Sequence, residues 1–141
     1  GKLILKGIMD AEDARLAVAA GADAIVVSNH GGRQLDGAPS SISALPAIVD
    51  AVGSQTEVWM DGGMRSGQDV LKAWALGARG TMIGRAMAYG LGAAGEAGVT
   101  RALQIIHKEL DITMAFCGHT DINKVDKSIL LPGTYPLAAQ P

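Results

Sequence analysis

One structural unit occurs twice in this chain, and that repeat limits the possible folds more than any other feature. Asp10-x-x-Asp13 leads to Ala19-Ala20-Gly21-Ala22 and then to a short apolar run ending at Ser28. Ser66-x-x-Asp69 leads to Ala75-Leu76-Gly77-Ala78 and then to a second run ending at Gly84. Each copy has an Asp or Ser suited to cap a helix, a helical stretch, a glycine at the C′ position and a strand. The apolar runs at 3–5, 24–27, 58–60 and 81–83 are too short for helices and are bounded by turn residues, so they are read as buried parallel strands. Helical spacing covers 10–20, 41–52 and 66–76, and 85–116 reads as a short helix followed by a longer one.

Four successive β/α units make half of an eight-stranded barrel. An open doubly wound sheet is the other α/β arrangement, and both folds place ligands beyond the carboxyl ends of the strands. No G-x-G-x-x-G follows the first strand, which counts against a dinucleotide-binding sheet. A half barrel leaves two sheet edges and its interior uncovered, so association with a second copy or with a missing half is expected. The chain opens on a strand, without a starting Met and without the pattern of a signal peptide, and an upstream segment is therefore expected. Residues 1–119 are assigned to the half barrel and 120–141, polar and then proline-containing, to a C-terminal arm.

Composition narrows the class. Of 141 residues, 48% are hydrophobic and 18% charged, which suits a packed core rather than a disordered chain. The net charge of -2 and the lack of a basic run give no footing for nucleic acid. No apolar stretch reaches the roughly 20 residues that a bilayer-spanning helix needs. The single cysteine, Cys117, rules out an internal disulfide and fits a reducing compartment.

The polar residues with chemical potential gather just after strand ends. Lys6 follows three apolar residues and is either a solvated strand-end lysine or a fixed positive charge beside an anionic ligand. The loop at 28–36 holds Ser28, His30, Gly31-Gly32, Arg33, Gln34 and Asp36. Its glycines allow a tight turn that aims His30 and Arg33 at one small molecule. Histidine is the usual general base near neutral pH, and the arginine fork matches a carboxylate, so the pair suits proton removal from a small acid. Asp61-Gly62-Gly63-Met64-Arg65 and Gly84-Arg85 each precede a helix start, where free backbone N–H groups and arginines suit a phosphate. Asp61 is read as a ligand for a sugar-like hydroxyl or as a cap of its own turn. His107 and His119 lack partners and are read as structural, Cys117 is rejected as a nucleophile, and no spacing resembles a metal site.

Taken together, Ser28-Asn29-His30-Gly31-Gly32-Arg33-Gln34-Leu35-Asp36 closely resembles the signature of the FMN-dependent 2-hydroxy acid dehydrogenases and oxidases. That family includes L-lactate dehydrogenase, glycolate oxidase and mandelate dehydrogenase. The likeness extends to Lys6-Gly7, Glu12-Asp13-Ala14, Asp61-Gly62-Gly63-x-Arg65, Ala75-Leu76-Gly77-Ala78 and Ile83-Gly84-Arg85, and runs to about Gly118. It implies the C-terminal half of a TIM (β/α)8 barrel, strands five to eight, with FMN as cofactor. It implies Lys6 at the N1/O2 edge of the flavin, and Ser28 and Asp61 on the flavin or its ribityl chain. Gly62 is counted with the cofactor-binding turn, and Gly63, Arg65, Gly84 and Arg85 hold the phosphate region. His30 would be the base, taking either the carbon or the hydroxyl proton of an (S)-2-hydroxy acid, and Arg33 would bind its carboxylate. The 32–37 segment and the following 40–46 stretch look most like bacterial L-lactate dehydrogenases, so lactate is the expected acid. The family also implies a homo-oligomer (a tetramer) in the cytoplasm or peripheral on the inner membrane. The departure is that the first four strands, with the family's tyrosines and the carboxylate partner of the base, are absent. A catalytically incompetent half barrel that self-associates or binds a phosphate ligand is therefore the competing reading. Other FMN or phosphate barrels, such as type 2 isopentenyl diphosphate isomerase and inosine monophosphate dehydrogenase, match the His30 loop poorly.

Overall fold

In the computed structural model, which describes residues 1–135, the elements alternate as the repeat requires. They are β1 (Ile4–Ile8), α1 (Ala11–Ala19), β2 (Ala24–Val27), α2 (Ser41–Val52), β3 (Glu57–Met60), α3 (Gly67–Ala75), β4 (Gly80–Thr81) and α4 (Arg85–Phe116). The end of the expected arm, 136–141, lies outside the described residues. Both copies of the repeat have the expected punctuation. The Asp10 carboxylate accepts from the N–H groups of Glu12 and Asp13, and Ser66 forms a capping box with Asp69. Gly21 and Gly77 close the two helices at φ +90° and +106°, where a side chain would be strained.

The four strands form one parallel sheet in the order β1-β2-β3-β4. Doubly wound sheets reverse their strand order at a switch point, and none occurs here. Residues paired in a parallel sheet point to the same face. Leu5, Ile25 and Val58 form one such row, and Ile8, Val27 and Met60 another. These rows pack against Ala14 and Ala17 of α1 and Leu45, Ile48 and Val52 of α2 in the main core. The opposite face carries the row Lys6, Val26, Trp59 and Gly80 and no helix of that core. Sequential strands with the helices packed on one face describe a barrel wall.

Two expectations shift in detail. Lys6 does not end β1; the strand continues to Ile8 past a register shift at Gly7, whose φ is +102°. The fourth strand pairs over Gly80–Thr81 rather than 81–83, with the N–H groups of Arg79 and Met82 donating to the Val58 and Met60 carbonyls of β3. The 85–116 region is two helical segments, as expected, broken at Ala94 (φ -153°) and Gly95 (φ +58°). A Cβ on Gly90 would come within 2.6 Å of the Gly98 carbonyl oxygen. Eight residues along a straight helix span about 12 Å, so this contact requires the second segment to fold back on the first.

The second segment packs on α3 so closely that a Cβ on Gly67 would overlap the backbone of Glu109 and Leu110. Beyond Gly118, Val125 is buried against Leu71 and Ala75 of α3, with Ile122, Ile129 and Leu130 around it. Among the described residues, no helix is long and apolar enough to cross a membrane. The edges are open, since β1 and β4 each have one strand neighbour, and Leu3, Ile4, Leu16, Met82, Tyr89 and Phe116 are exposed.

Gly67→Ala is expected to destabilise the chain by about 2 kcal/mol or more, because two backbones must separate to admit a methyl group. Urea denaturation followed by circular dichroism checks this against Gly92→Ala, a control at a site with open space around it and no positive φ.

Candidate active site

One ammonium group, from the middle of β1, joins the residues that follow β2 and β3. Lys6 Nζ donates to Ser28 Oγ at 2.7 Å and pairs with Asp61 Oδ2 at 2.8 Å, so β1, β2 and β3 each contribute one member. Ser28 is buried and also accepts from the His30 N–H at 3.2 Å. The contact of Asp61 with Lys6, rather than a cap of its own turn, accounts for one carboxylate oxygen. The other, Oδ1, is buried and has no hydrogen-bond partner among the described residues. A buried carboxylate oxygen without a donor is costly, and it marks a place for a ligand hydroxyl or N–H.

The loop after β2 is held in an unusual conformation. His30, Gly31 and Gly32 have φ of +57°, +68° and +72°, and His30 is the one non-glycine residue with positive φ among those described. Left-handed backbone at a residue with a Cβ costs roughly 1–2 kcal/mol, so the surroundings must supply the difference. Asn29 Oδ1 accepts from the Gly31 N–H, the Asn29 carbonyl accepts from the Gly32 N–H, and Arg85 Nη2 donates to the Gly31 carbonyl at 3.1 Å. The turn brings His30 and Arg33 to the wall of a single cavity.

That cavity has a volume of about 390 Å³ and opens at the carboxyl ends of the strands. Every residue assigned from the sequence to the base, the substrate or the cofactor lines it except Ser28, which is bonded to Lys6 and the His30 backbone; Gln34 and Asp36 of the same loop do not line it. Met64 and Met82 give it apolar walls. His107, His119 and Cys117 do not line it. Among the described residues, no cluster of His, Cys, Asp and Glu could hold a metal ion.

One expectation about the anion site needs correcting. Most N–H groups at the N-terminus of α3 are already taken. Asp69 Oδ2 accepts from Arg65 and Ser66 at 3.0 and 2.9 Å, and Glu109 Oε2 accepts from Gly67 at 3.0 Å. Carboxylates of the chain itself already occupy that helix end. The N-terminus of α4 differs, because Gly84 is its N-cap and no side chain caps it. The anion-binding capacity therefore rests on the start of α4, the Gly62–Gly63 turn at φ +87° and +82°, and the guanidinium groups of Arg65 and Arg85.

Sequence reasoning passed over Asn29 and Ser41. Asn29 lay inside the signature loop, and its value to a left-handed turn was a usable signal. Ser41 Oγ accepts from the Asn29 N–H across twelve positions, a contact that no local pattern announces.

The sequence profile described as FMN-dependent dehydrogenase matches residues 1–132. The chain belongs to the FMN-dependent dehydrogenase family. An L-lactate dehydrogenase of Caulobacter vibrioides is 57% identical over 130 residues, which are 92% of this chain and 34% of that protein. An L-lactate oxidase of a Nostoc species is 51% identical over 128 residues, 91% of this chain and 35% of that protein. Among solved structures, mandelate oxidase with benzoyl-formic acid superposes with a TM-score of 0.85 at 50% identity, covering 88% of this chain and 37% of that one. A monotopic membrane protein, (S)-mandelate dehydrogenase, superposes at 0.87 and 44% identity, covering 91% and 34%. The chain thus spans about a third of the length of the relatives it matches.

Ser28→Ala is expected to lower stability by about 1–2 kcal/mol, since it removes an acceptor from both a charged donor and the His30 N–H. Chemical denaturation of the two chains measures it; an unchanged midpoint would show that the hydroxyl bridges nothing of consequence.

Proposed function

We propose that this chain is the C-terminal half of an (β/α)8 barrel, strands five to eight, in an enzyme that uses FMN to oxidise an (S)-2-hydroxy acid to the 2-oxo acid. L-lactate is the proposed substrate. The observation that carries this reading is that a histidine, a carboxylate-matching arginine, a fixed ammonium and two further arginines share one cavity at the strand ends. The FMN site fits the residues present. Arg65, Arg85, the Gly62–Gly63 turn and the uncapped start of α4 at Gly84 suit a phosphate. Asp61 Oδ1, buried without a donor, suits a ribityl hydroxyl. Lys6 and Ser28 would meet the ring end. When bound, FMN supplies the two-electron acceptor for the substrate carbon.

The chain's own residues supply binding and proton transfer. Arg33 takes the substrate carboxylate through paired N–H donors and so fixes the orientation of the hydroxyl-bearing carbon. His30 accepts the proton that leaves as the substrate is oxidised. Lys6, already paired with Asp61, keeps a positive charge at a defined point of the pocket, where it favours negative charge that develops on a neighbour. The names of the L-lactate dehydrogenase and L-lactate oxidase relatives quoted above support lactate. The carboxylate partner for protonated His30 and the rest of the pocket are assigned to an upstream half of the barrel, and the assembled enzyme to a homo-oligomer, a tetramer by family likeness. A cytoplasmic location, with peripheral attachment to the inner membrane, is part of the same proposal; the monotopic relative supports it. The exposed sheet edges support a second reading, a half barrel that binds a phosphate ligand without turnover.

Two measurements separate these readings. Flavin absorbance titration of the 141-residue chain alone is expected to show weak FMN binding and, with lactate, little reduction; tight stoichiometric binding would overturn the half-site account. Once an upstream half is supplied, lactate should bleach the flavin. In that assembly His30→Gln should lower kcat by about 10²–10⁴-fold. Arg33→Lys should mainly raise KM, because an ammonium cannot reproduce the bidentate fork. Turnover that survives both substitutions would remove these residues from the mechanism.

A further inference from the structure

We propose that Asn29 is a positioning residue that sets the left-handed turn from which His30 and Arg33 reach the cavity. This rests on the reading of His30 and Arg33 just given. Glycines 31 and 32 tolerate positive φ, but His30 at +57° does not hold it unaided. Asn29 restrains the turn from both ends. Its Oδ1 accepts from the Gly31 N–H at 3.0 Å and its carbonyl accepts from the Gly32 N–H at 3.0 Å. Its Nδ2 donates to the Pro39 carbonyl at 3.1 Å, which ties down the far end of the loop.

Two neighbours fix Asn29 itself. Its N–H donates to Ser41 Oγ at 3.1 Å, and Ser41 is the buried first residue of α2. Gly62 borders both groups, since a Cβ there would lie 2.8 Å from Ser41 Oγ and 3.1 Å from Asn29 Oδ1. The amide is thus boxed between the start of α2 and the Asp61–Gly62 turn. An asparagine amide carries both donor and acceptor groups on one plane, and this place uses one of each. Aspartate would keep the acceptor for Gly31 and lose the donor for Pro39, and alanine would lose both.

The test has two arms. In the full 141-residue chain, amide hydrogen exchange is followed by NMR, with Ile25 and Val58 as reporters of an intact core. Asn29→Ala should speed exchange at Gly31 by about tenfold while the core reporters hold, whereas Asn29→Asp should keep Gly31 close to its native rate. Unchanged Gly31 exchange in Asn29→Ala overturns the proposal. Should Asn29→Ala not fold, Asn29→Asp decides: loss of Gly31 protection over an intact core overturns it. In the enzyme assembled with an upstream half, Asn29→Ala should lower kcat by about tenfold or more with FMN affinity unchanged, and Asn29→Asp should restore most of it. A parallel fall in FMN affinity would mark a merely structural role and overturn the proposal. If the unsubstituted assembly oxidises no 2-hydroxy acid, the functional reading falls, and the exchange arm still decides whether Asn29 holds the turn.

Discussion

The ammonium of Lys6, held between Asp61 and Ser28, is the point on which the cavity's geometry depends. Each partner comes from a different strand, and each leads to a further part of the site. Ser28 passes the restraint to the His30 backbone, and Asp61 begins the glycine turn that borders Asn29 and Ser41. A half-exposed ion pair contributes little stability on its account. Its value here is geometric. It ties the middle of β1 to the residues that follow β2 and β3, adding a side-chain link where the backbone ladder reaches its last bonds, Ser28 N–H to the Ile8 carbonyl and Asp61 N–H to the Val27 carbonyl.

Much of this was legible in the sequence because it depends on local chemistry. The caps at Asp10 and Ser66 and the stops at Gly21 and Gly77 are short-range signals, and they fell where the repeat put them. The strand-end positions of His30, Arg33, Asp61 and Arg85 followed from that punctuation. What escaped was tertiary. Nothing near Arg65 indicates that Glu109 of α4 will join Asp69 at the start of α3. Likewise Ser41 becomes important only because α2 begins beside the His30 loop. Lys6 was misplaced at a strand end because β1 runs on past a bulge at Gly7, where glycine reads as a stop.

The small residues serve two purposes that composition alone does not separate. At Gly31, Gly32, Gly62 and Gly63 they admit backbone conformations closed to other residues, next to the cavity. At Gly67, Gly90 and Gly98 they admit another backbone at close range, which lets α4 fold on itself and press against α3. The first set shapes the cavity wall, and the second fixes the helix whose uncapped start lines the same cavity.

The strand order has a consequence for how such a protein comes into being. Every strand pairs only with its neighbours in sequence, so no later segment must insert between two earlier ones. The sheet can therefore grow in the order of synthesis, each β/α unit docking on a finished predecessor, and its pairing demands little long-range search. Among the described residues, the outermost strands, β1 and β4, each have one strand neighbour, so more units can be added at either edge without dismantling what has formed. In evolutionary terms, such a wall is a module that can be extended, halved or duplicated while its own chemistry-bearing rim stays in place.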